Sequence, residues 1–237
     1  MNNTEKYWVL VPAAGIGKRM GGELPKQYLP IAGYSVLEWT LKKLDQLANI
    51  QNIVLVLNPR DKYWQTLQHD SYKTLLTVSG GDERCDSVLN GLQALKDVAQ
   101  PNDWVLVHDA VRPCVALKDI EALIAACGDE AGGLLATPVK DTLKKSRADN
   151  SVEKTLDRQQ HWLASTPQMF RYGLLCEAME NARVNNIEIT DEASAMEAMG
   201  HQVKLVEGRS DNIKLTQPAD LPLVEFLLKN AEAKYAV

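Results

Sequence analysis

Five short apolar runs, Trp8 to Val11, Ile53 to Leu57, Leu75 to Val78, Trp104 to Val107 and Leu134 to Val139, each end in a polar loop and alternate with stretches of helical spacing. A continuous β-branched run is what a parallel strand buried on both faces requires. Alternation with helices then prescribes right-handed crossovers, so the expected fold is α/β: a Rossmann-like, mostly parallel twisted sheet flanked by helices. In such sheets ligands bind outside the carboxyl ends of the strands. Three loops sit there in this chain: the glycine-rich stretch after Val11, the segment Ser79-Gly80-Gly81-Asp82, and His108-Asp109-Ala110-Val111-Arg112-Pro113. They are expected to converge on one crevice.

The first loop lies within VLVPAAGIGKRMGGELPKQ, Val9 to Gln27, and carries Lys18, Arg19 and Lys26 within nine residues. Backbone amides at a strand-to-helix turn, with fixed cations beside them, suit a phosphate chain. Pro12 and Pro25 fix φ near the two ends. A Walker loop needs Gly at position 12 and Ser or Thr at position 19, and a dinucleotide fingerprint needs a third Gly at position 20. The chain has Pro12, Arg19 and Met20 there. Glu38 has roughly the offset of a ribose-binding acid but falls inside a helical pattern. The bland alternative is a tight turn with solvated charges; three clustered cations favour a polyphosphate site of a third kind.

The 237 residues, 45% of them apolar, suit one domain with a sizeable core, 1–237. A net charge of −5 argues against nucleic acid as a partner. No apolar run approaches a membrane span, and the start MNNTEKYWVLV has no signal-peptide layout, so a cytoplasmic location is expected. Cys85, Cys114, Cys127 and Cys176 form no Cys-x-x-Cys pair and the four histidines are scattered. Neither a zinc site nor a disulfide framework is implied; reduced, mostly buried thiols are expected.

Ser35 and Glu38 form a capping box that opens a helix with Val36, Leu37, Leu41, Leu44 and Leu47 on one face. A short polar helix is expected at Tyr63 to Gln68. After Gly80-Gly81-Asp82, Val88, Leu89, Leu92 and Leu95 mark another helix, and Leu117 to Cys127 a third, with Gly128 as an αL cap. From Lys140 to Phe170 the pattern changes. Thr142 to Lys145 and Val152 to Leu156 read as a polar hairpin around Asp149-Asn150. A two-stranded ribbon alone is marginal, so an arm within 140–170 is expected to pack on a second subunit. Then come a helix at Leu174 to Arg183, one capped by Thr190-Asp191 and ending at Gly200, a strand at Val203 to Val206, and a last edge strand at Asn212 to Leu215. Pro218 starts a terminal helix running to about Ala233.

Asp109, ending WVLVHD, is the best metal-ligand candidate, because a carboxylate at a strand terminus facing a phosphate loop can share Mg²⁺ with a nucleotide. It could instead cap the next turn; neighbouring Arg112 favours function. His108 reads as structural, lacking a partner acid or nucleophile nearby. Asp82, Arg84 and Ser87 flank a helix start, either as caps or, facing the crevice, as readers of a base edge. Arg158, Thr166, Thr190, Asp191, Arg209, Asp211 and Lys214 are surface residues by default. Lys214 interrupts the apolar Ile213-Lys214-Leu215.

The motifs VPAAGIGKRMGGELPKQY, SGGDERCDSV, VLVHDAVRP, TLDR, STPQMF, ITDEAS and VEGRSDNIKLT, in this order and spacing, resemble the 2-C-methyl-D-erythritol 4-phosphate cytidylyltransferases of the non-mevalonate isoprenoid pathway. The resemblance covers essentially the whole chain and the monofunctional form. It implies a nucleotide-diphospho-sugar transferase type of fold with a β-hairpin dimerisation arm at 140–170. It further implies CTP lined by Pro12, Ala13, Ala14 and Gly15, with Arg19 and Lys26 on the phosphates, Gly81, Asp82 and Ser87 at the cytosine, and Ala110 beside Asp109. Asp109 would hold Mg²⁺, or another divalent cation, and touch the ribose. Arg112, Thr190 and Lys214 would bind the methylerythritol phosphate, joined by Thr142, Arg158 and Thr166 from the arm of a partner in a homodimer. Arg19, Lys26 and Lys214 are the implied catalytic cations. Lys18, Val111 and Cys85 depart from the usual pattern without touching an implied ligand group.

Three other functions compete with that reading. A cytidylyltransferase for ribitol 5-phosphate or another polyol phosphate would share the CTP half. A nucleotide-binding dehydrogenase would need the missing third glycine. A non-catalytic regulatory binder would have no use for Lys26, Asp109 and Lys214 together.

Overall fold

The apolar runs become neighbours in one sheet. The computed structural model describes residues 5–15, 24–67, 72, 75–128 and 130–235. In chain order it contains β1 (Tyr7–Pro12), a small ribbon of β2 (Pro30–Ile31) and β3 (Tyr34–Ser35), α1 (Val36–Leu44), β4 (Ile50–Leu57), β5 (Leu75–Ser79), α2 (Arg84–Gln93) and β6 (Trp104–Val107). There follow α3 (Leu117–Cys127), β7 (Gly132–Pro138), β8 (Leu143–Ser146), β9 (Val152–Leu156), β10 (Trp162–Arg171), α4 (Tyr172–Val184), α5 (Glu192–Ala198), β11 (Lys204–Glu207) and α6 (Leu221–Tyr235). Seven strands pair in the order β11-β7-β10-β6-β1-β4-β5. Six run parallel to one another, and β10 lies antiparallel between β7 and β6.

Alternate residues of each central strand serve different layers, which explains runs without polar alternation. Val9 and Val11 pack with Leu37, Leu41 and Ile120 of α1 and α3. Trp8 and Leu10 pack on the other face with Val88, Leu92 and Leu175 of α2 and α4. A third cluster seats Val224 and Leu228 of α6 against Ile31, Val36 and Leu215.

The sequence expectations hold for the strands around β1. The capping box of α1 is present: the Glu38 amide donates to Ser35 Oγ at 3.2 Å and the Ser35 amide to Glu38 Oε2 at 2.7 Å. That helix stops at Leu44, so Leu47 is buried from the following turn instead. Among the described residues only a 3₁₀ turn, Trp64–Thr66, stands where the Tyr63 to Gln68 helix was expected, and Gln68 lies outside them. Gly128 closes α3 with φ +36° and ψ −114°, a positive φ outside the αL well. The cysteines are free, but only Cys127 is buried and the other three are intermediate.

Two corrections matter for function. Of the span 140–170, only β8 and β9 form a separate ribbon, whereas Trp162–Arg171 is a full strand of the main sheet. Pro167 within Ser165-Thr166-Pro167-Gln168 hid it, because proline is excluded from regular ladders. The sheet accommodates it by a register break between Ala164 and Gln168. Second, Asn212 to Leu215 is not an edge strand. Besides the local turn bonds of Asn212 N–H to Arg209 C=O and Ile213 N–H to Asp211 C=O, the Leu215 N–H bond to Val111 C=O at 2.9 Å ties it down, and side chains do the rest.

The chain leaves β1, builds β4 and β5 outward on one side, and returns to lay β6 on the other side of β1. Loops leaving β1 and β6 therefore diverge, which opens a crevice at their carboxyl ends.

Candidate active site

The loop after β1 begins with its carbonyls occupied. Ala13 donates its N–H to Val56 C=O at 2.8 Å. Buried Gln27 donates Nε2 to the carbonyls of Ala13 (2.8 Å) and Gly15 (3.0 Å), and Asn58 Nδ2 reaches that of Ala14 at 3.2 Å. Three successive lone-pair donors that would repel a phosphate are thus neutralised by side-chain amides. The loop after β5 lies hard against this one. A Cβ on Gly80 would fall 2.5 Å from Ala14 Cβ and 2.7 Å from Ser87 Oγ, so only glycine permits the approach. Gly81 N–H in turn donates to Ser87 Oγ at 3.2 Å. The Glu83 amide donates to Asp86 Oδ2 at 3.0 Å at the start of α2, which leaves Asp82 and Ser87 without the capping role.

The loop after β6 supplies the charge centre. Asp109 is 6% exposed. Its Oδ2 takes Lys214 Nζ at 3.0 Å and Arg112 Nε at 3.1 Å, and Arg84 Nε stands 3.5 Å from Oδ1. Burial alone would raise its pKa, but Arg84, Lys214 and Arg112 outweigh it and hold the carboxyl well below the usual range. Arg84 also grips fully buried Glu192 of α5 through both terminal amino groups. Arg112 Nη1 donates to Asn212 C=O at 2.7 Å, and Asn212 Nδ2 to Thr166 C=O at 2.8 Å, which fixes the segment that carries Lys214.

His108 locks this loop to β10. Its Nε2 lies 3.1 Å from the Arg112 carbonyl, which can only accept, so that nitrogen bears the hydrogen. Nδ1 then accepts from the Thr166 hydroxyl at 3.1 Å, and Thr166 Oγ1 accepts the Asp109 N–H at 3.0 Å. Burial pushes the imidazole pKa down to about 4. A pH dependence follows, because the unfolded histidine, near 6.5, takes up its proton first. Stability is fully present above about pH 6.5 and falls as pH drops toward 4, by about 3 kcal/mol in total. Urea unfolding at pH 7, 5.5 and 4.5 measures it. The slope is expected to flatten in His108→Gln, and an unchanged slope in that variant excludes His108 as its source.

These loops line an open cleft bounded by Pro12 to Gly15, Lys26 and Gln27 on one wall. Gly81, Asp82, Glu83, Arg84 and Ser87 form a second wall, and Asp109, Ala110, Val111 and Lys214 the floor. Among the described residues no cluster of three His, Cys, Asp or Glu side chains could cage a metal ion. Mg²⁺ commonly uses one or two carboxylates plus substrate phosphates, and Asp109 Oδ1, the oxygen less engaged by cations, fits that role.

Residues 7–230 match the family described as 2-C-methyl-D-erythritol 4-phosphate cytidylyltransferase, IspD. The chain belongs to this family. The cytidylyltransferase of Hahella chejuensis is 48% identical over 225 residues, 94% of this chain and 93% of its own. The crystal structure of the Francisella tularensis cytidylyltransferase superposes with a TM-score of 0.81 at 34% identity, covering 94% of this chain and 99% of that one. The bifunctional IspDF of Campylobacter jejuni superposes at 0.75 with 27% identity, covering 92% of this chain and 53% of the longer protein.

Of the residues expected at a cytidylyltransferase site, Pro12, Ala13, Ala14, Gly15, Lys26, Gly81, Asp82, Ser87, Asp109, Ala110 and Lys214 line the one cleft. Arg112 and Thr166 abut it through Asp109. Arg19 lies outside the described residues. Thr142 and Arg158 stay exposed on the arm, where Arg158 donates to the Lys140 carbonyl, and Thr190 is exposed ahead of α5. Sequence reasoning gave no role to Gln27 or Glu192, and left Arg84 at a helix start as either a cap or a reader of a base edge; Arg84 does open α2, but pairs with Glu192 and Asp109. A carboxylate in the alanine-rich EASAMEA had to be exposed or paired, but its partner lies 108 positions away.

Proposed function

We infer that the chain transfers CMP from CTP to 2-C-methyl-D-erythritol 4-phosphate, giving 4-diphosphocytidyl-2-C-methyl-D-erythritol and pyrophosphate with a divalent cation. The observation that carries the reading, beside the family, is Asp109 ringed by Arg84, Arg112 and Lys214 opposite the glycine loop and Lys26. Two anions must meet there: an oxygen of the phosphomonoester attacks the α-phosphorus of CTP as the bond to pyrophosphate breaks. The nucleophile is already ionised near neutral pH, so no general base is needed. His108, hydrogen-bonded through both nitrogens and buried, is not placed to be one. What the residues supply is alignment and fixed positive charge. Lys26 and Arg19 would neutralise the triphosphate, Gly81, Asp82 and Ser87 face the cytosine, and Asp109 Oδ1 would hold the cation, which supplies further charge neutralisation on the phosphates. Arg112, Thr166, Thr190 and Lys214 would receive the acceptor phosphate.

Free thiols and CTP use fit a cytoplasmic enzyme, and no described helix is long and apolar enough to cross a membrane. The deciding experiment is pyrophosphate release with CTP and Mg²⁺ across a panel of polyol phosphates. Methylerythritol phosphate is expected to be used far better than ribitol 5-phosphate. Equal or better use of ribitol 5-phosphate overturns the substrate assignment.

Thr142 and Arg158 enter the reading only through a homodimer in which each arm crosses to its partner. The ribbon β8–β9 carries little apolar surface of its own, with only Leu143 and Leu156 half-buried. Mixing Arg158→Ala subunits with Lys26→Ala subunits, each nearly inactive alone, tests this. One site of a mixed dimer would carry both lesions and the other neither, so activity is expected to return to about half that of wild type. Verified heterodimers that stay inactive exclude the shared site.

A further inference from the structure

Glu192 is wholly buried, where a carboxylate is costly unless it is paired. Its partner Arg84 opens α2 and spends both terminal amino groups on it, Nη1 to Oε1 at 2.5 Å and Nη2 to Oε2 at 3.1 Å. The third nitrogen of that guanidinium, Nε, stands 3.5 Å from Asp109 Oδ1. That is ion-pair reach, but beyond the ~2.7–2.9 Å of a charge-assisted hydrogen bond. The two oxygens of Asp109 are therefore unequal: Oδ2 is closed by Lys214 and Arg112, while Oδ1 has a cation held short of it.

The restraint is built into the start of α5. Gln168 Nε2 donates to Asp191 Oδ2 at 2.8 Å, and its Oε1 accepts the Ala193 N–H at 2.8 Å. Asp191 Oδ1 also accepts the Ser194 N–H at 2.9 Å. Glu192 sits between these clamped residues and cannot follow Arg84 toward Asp109. Arg84 in turn is anchored by a bidentate fork whose geometry fixes the plane of the guanidinium.

We propose that Glu192 is a positioning residue that holds Arg84 off Asp109 Oδ1 and so keeps that oxygen open for the divalent cation arriving with the nucleotide triphosphate. The inference rests on the cation assignment made for Asp109 above. With Glu192 neutral, Arg84 loses its nearer counter-charge, closes on Oδ1, and competes with the metal ion for the same lone pairs.

The test is binding, with no acceptor present. The affinity of the protein for α,β-methylene-CTP is titrated by calorimetry with and without Mn²⁺, and the ratio reports the grip of the cation on the protein–nucleotide complex. Glu192→Gln is expected to reduce the ratio about tenfold. In an Arg84→Met background the same substitution is expected to have no further effect, because the competitor is gone. A wild-type ratio in Glu192→Gln, or an equal loss with and without Arg84, overturns the proposal. If either single variant fails to fold, the double variant, which removes both charges, is compared with wild type. Its ratio is expected to be at least as large, and a smaller one overturns the proposal. Asp109→Asn separates the underlying assignment: an unchanged ratio there means that the cation is not held by Asp109, whatever Glu192 does.

Discussion

Lys26→Ala is expected to lower kcat by about 10²–10³ while KM for CTP changes by less than about tenfold. Lys26 starts the short 3₁₀ turn Lys26–Tyr28 directly after Pro25, and its neighbour Gln27 is buried and bonded to the first loop. The backbone beneath the ammonium is thus fixed. Nζ lies 3.0 Å from the Leu215 carbonyl, next to Lys214, so the side chain spans from the glycine loop to the acceptor side of the cleft. A cation held there gains most when negative charge grows on the transferring phosphate, and removing such a contact costs about 2.7–4 kcal/mol in known cases. Steady-state kinetics with CTP varied at saturating acceptor measures it. A rise in KM with kcat unchanged would mean that Lys26 binds ground-state nucleotide only. Arg19→Ala is expected to behave in the same way.

Asp109→Asn is expected to lower activity at least about a hundredfold and to destabilise the fold by about 1–3 kcal/mol. The amide keeps the shape but removes the one buried negative charge shared by Arg84, Arg112 and Lys214. Breaking a fully buried pair costs about 3–5 kcal/mol. Here Lys214 is 38% exposed and can turn toward water, and Arg84 keeps Glu192 as a counter-charge, which sets the lower figure. The activity loss has a separate origin, the charge that a hard cation requires. Raising Mg²⁺ is therefore expected to recover part of the activity and none of the melting temperature. Wild-type activity across a full Mg²⁺ titration excludes Asp109 as the cation's protein partner.

The reach of the sequence can be judged from particular elements. Trp8–Val11, Ile53–Leu57 and Trp104–Val107 were readable because a strand buried on both faces leaves a continuous apolar record, and the Ser35–Glu38 box because capping is local chemistry. Since the carboxyl ends of such strands converge by topology, the meeting of Gly15, Gly81 and Asp109 in one cleft also followed from the order of runs and loops. β10 was not readable, because its proline and polar residues imitate a loop and it becomes a strand only between β6 and β7. Nor was the loop status of Asn212 to Leu215, whose position depends on Arg112, Thr166 and Val111. The pairing of Arg84 with Glu192, and the unequal engagement of the two Asp109 oxygens, depend on distances between residues remote in the chain. Periodicity and local motifs record which face of an element is buried and where it starts. Which charge meets which is settled only when separate helices pack on the same sheet, and that pairing is a property of the tertiary structure.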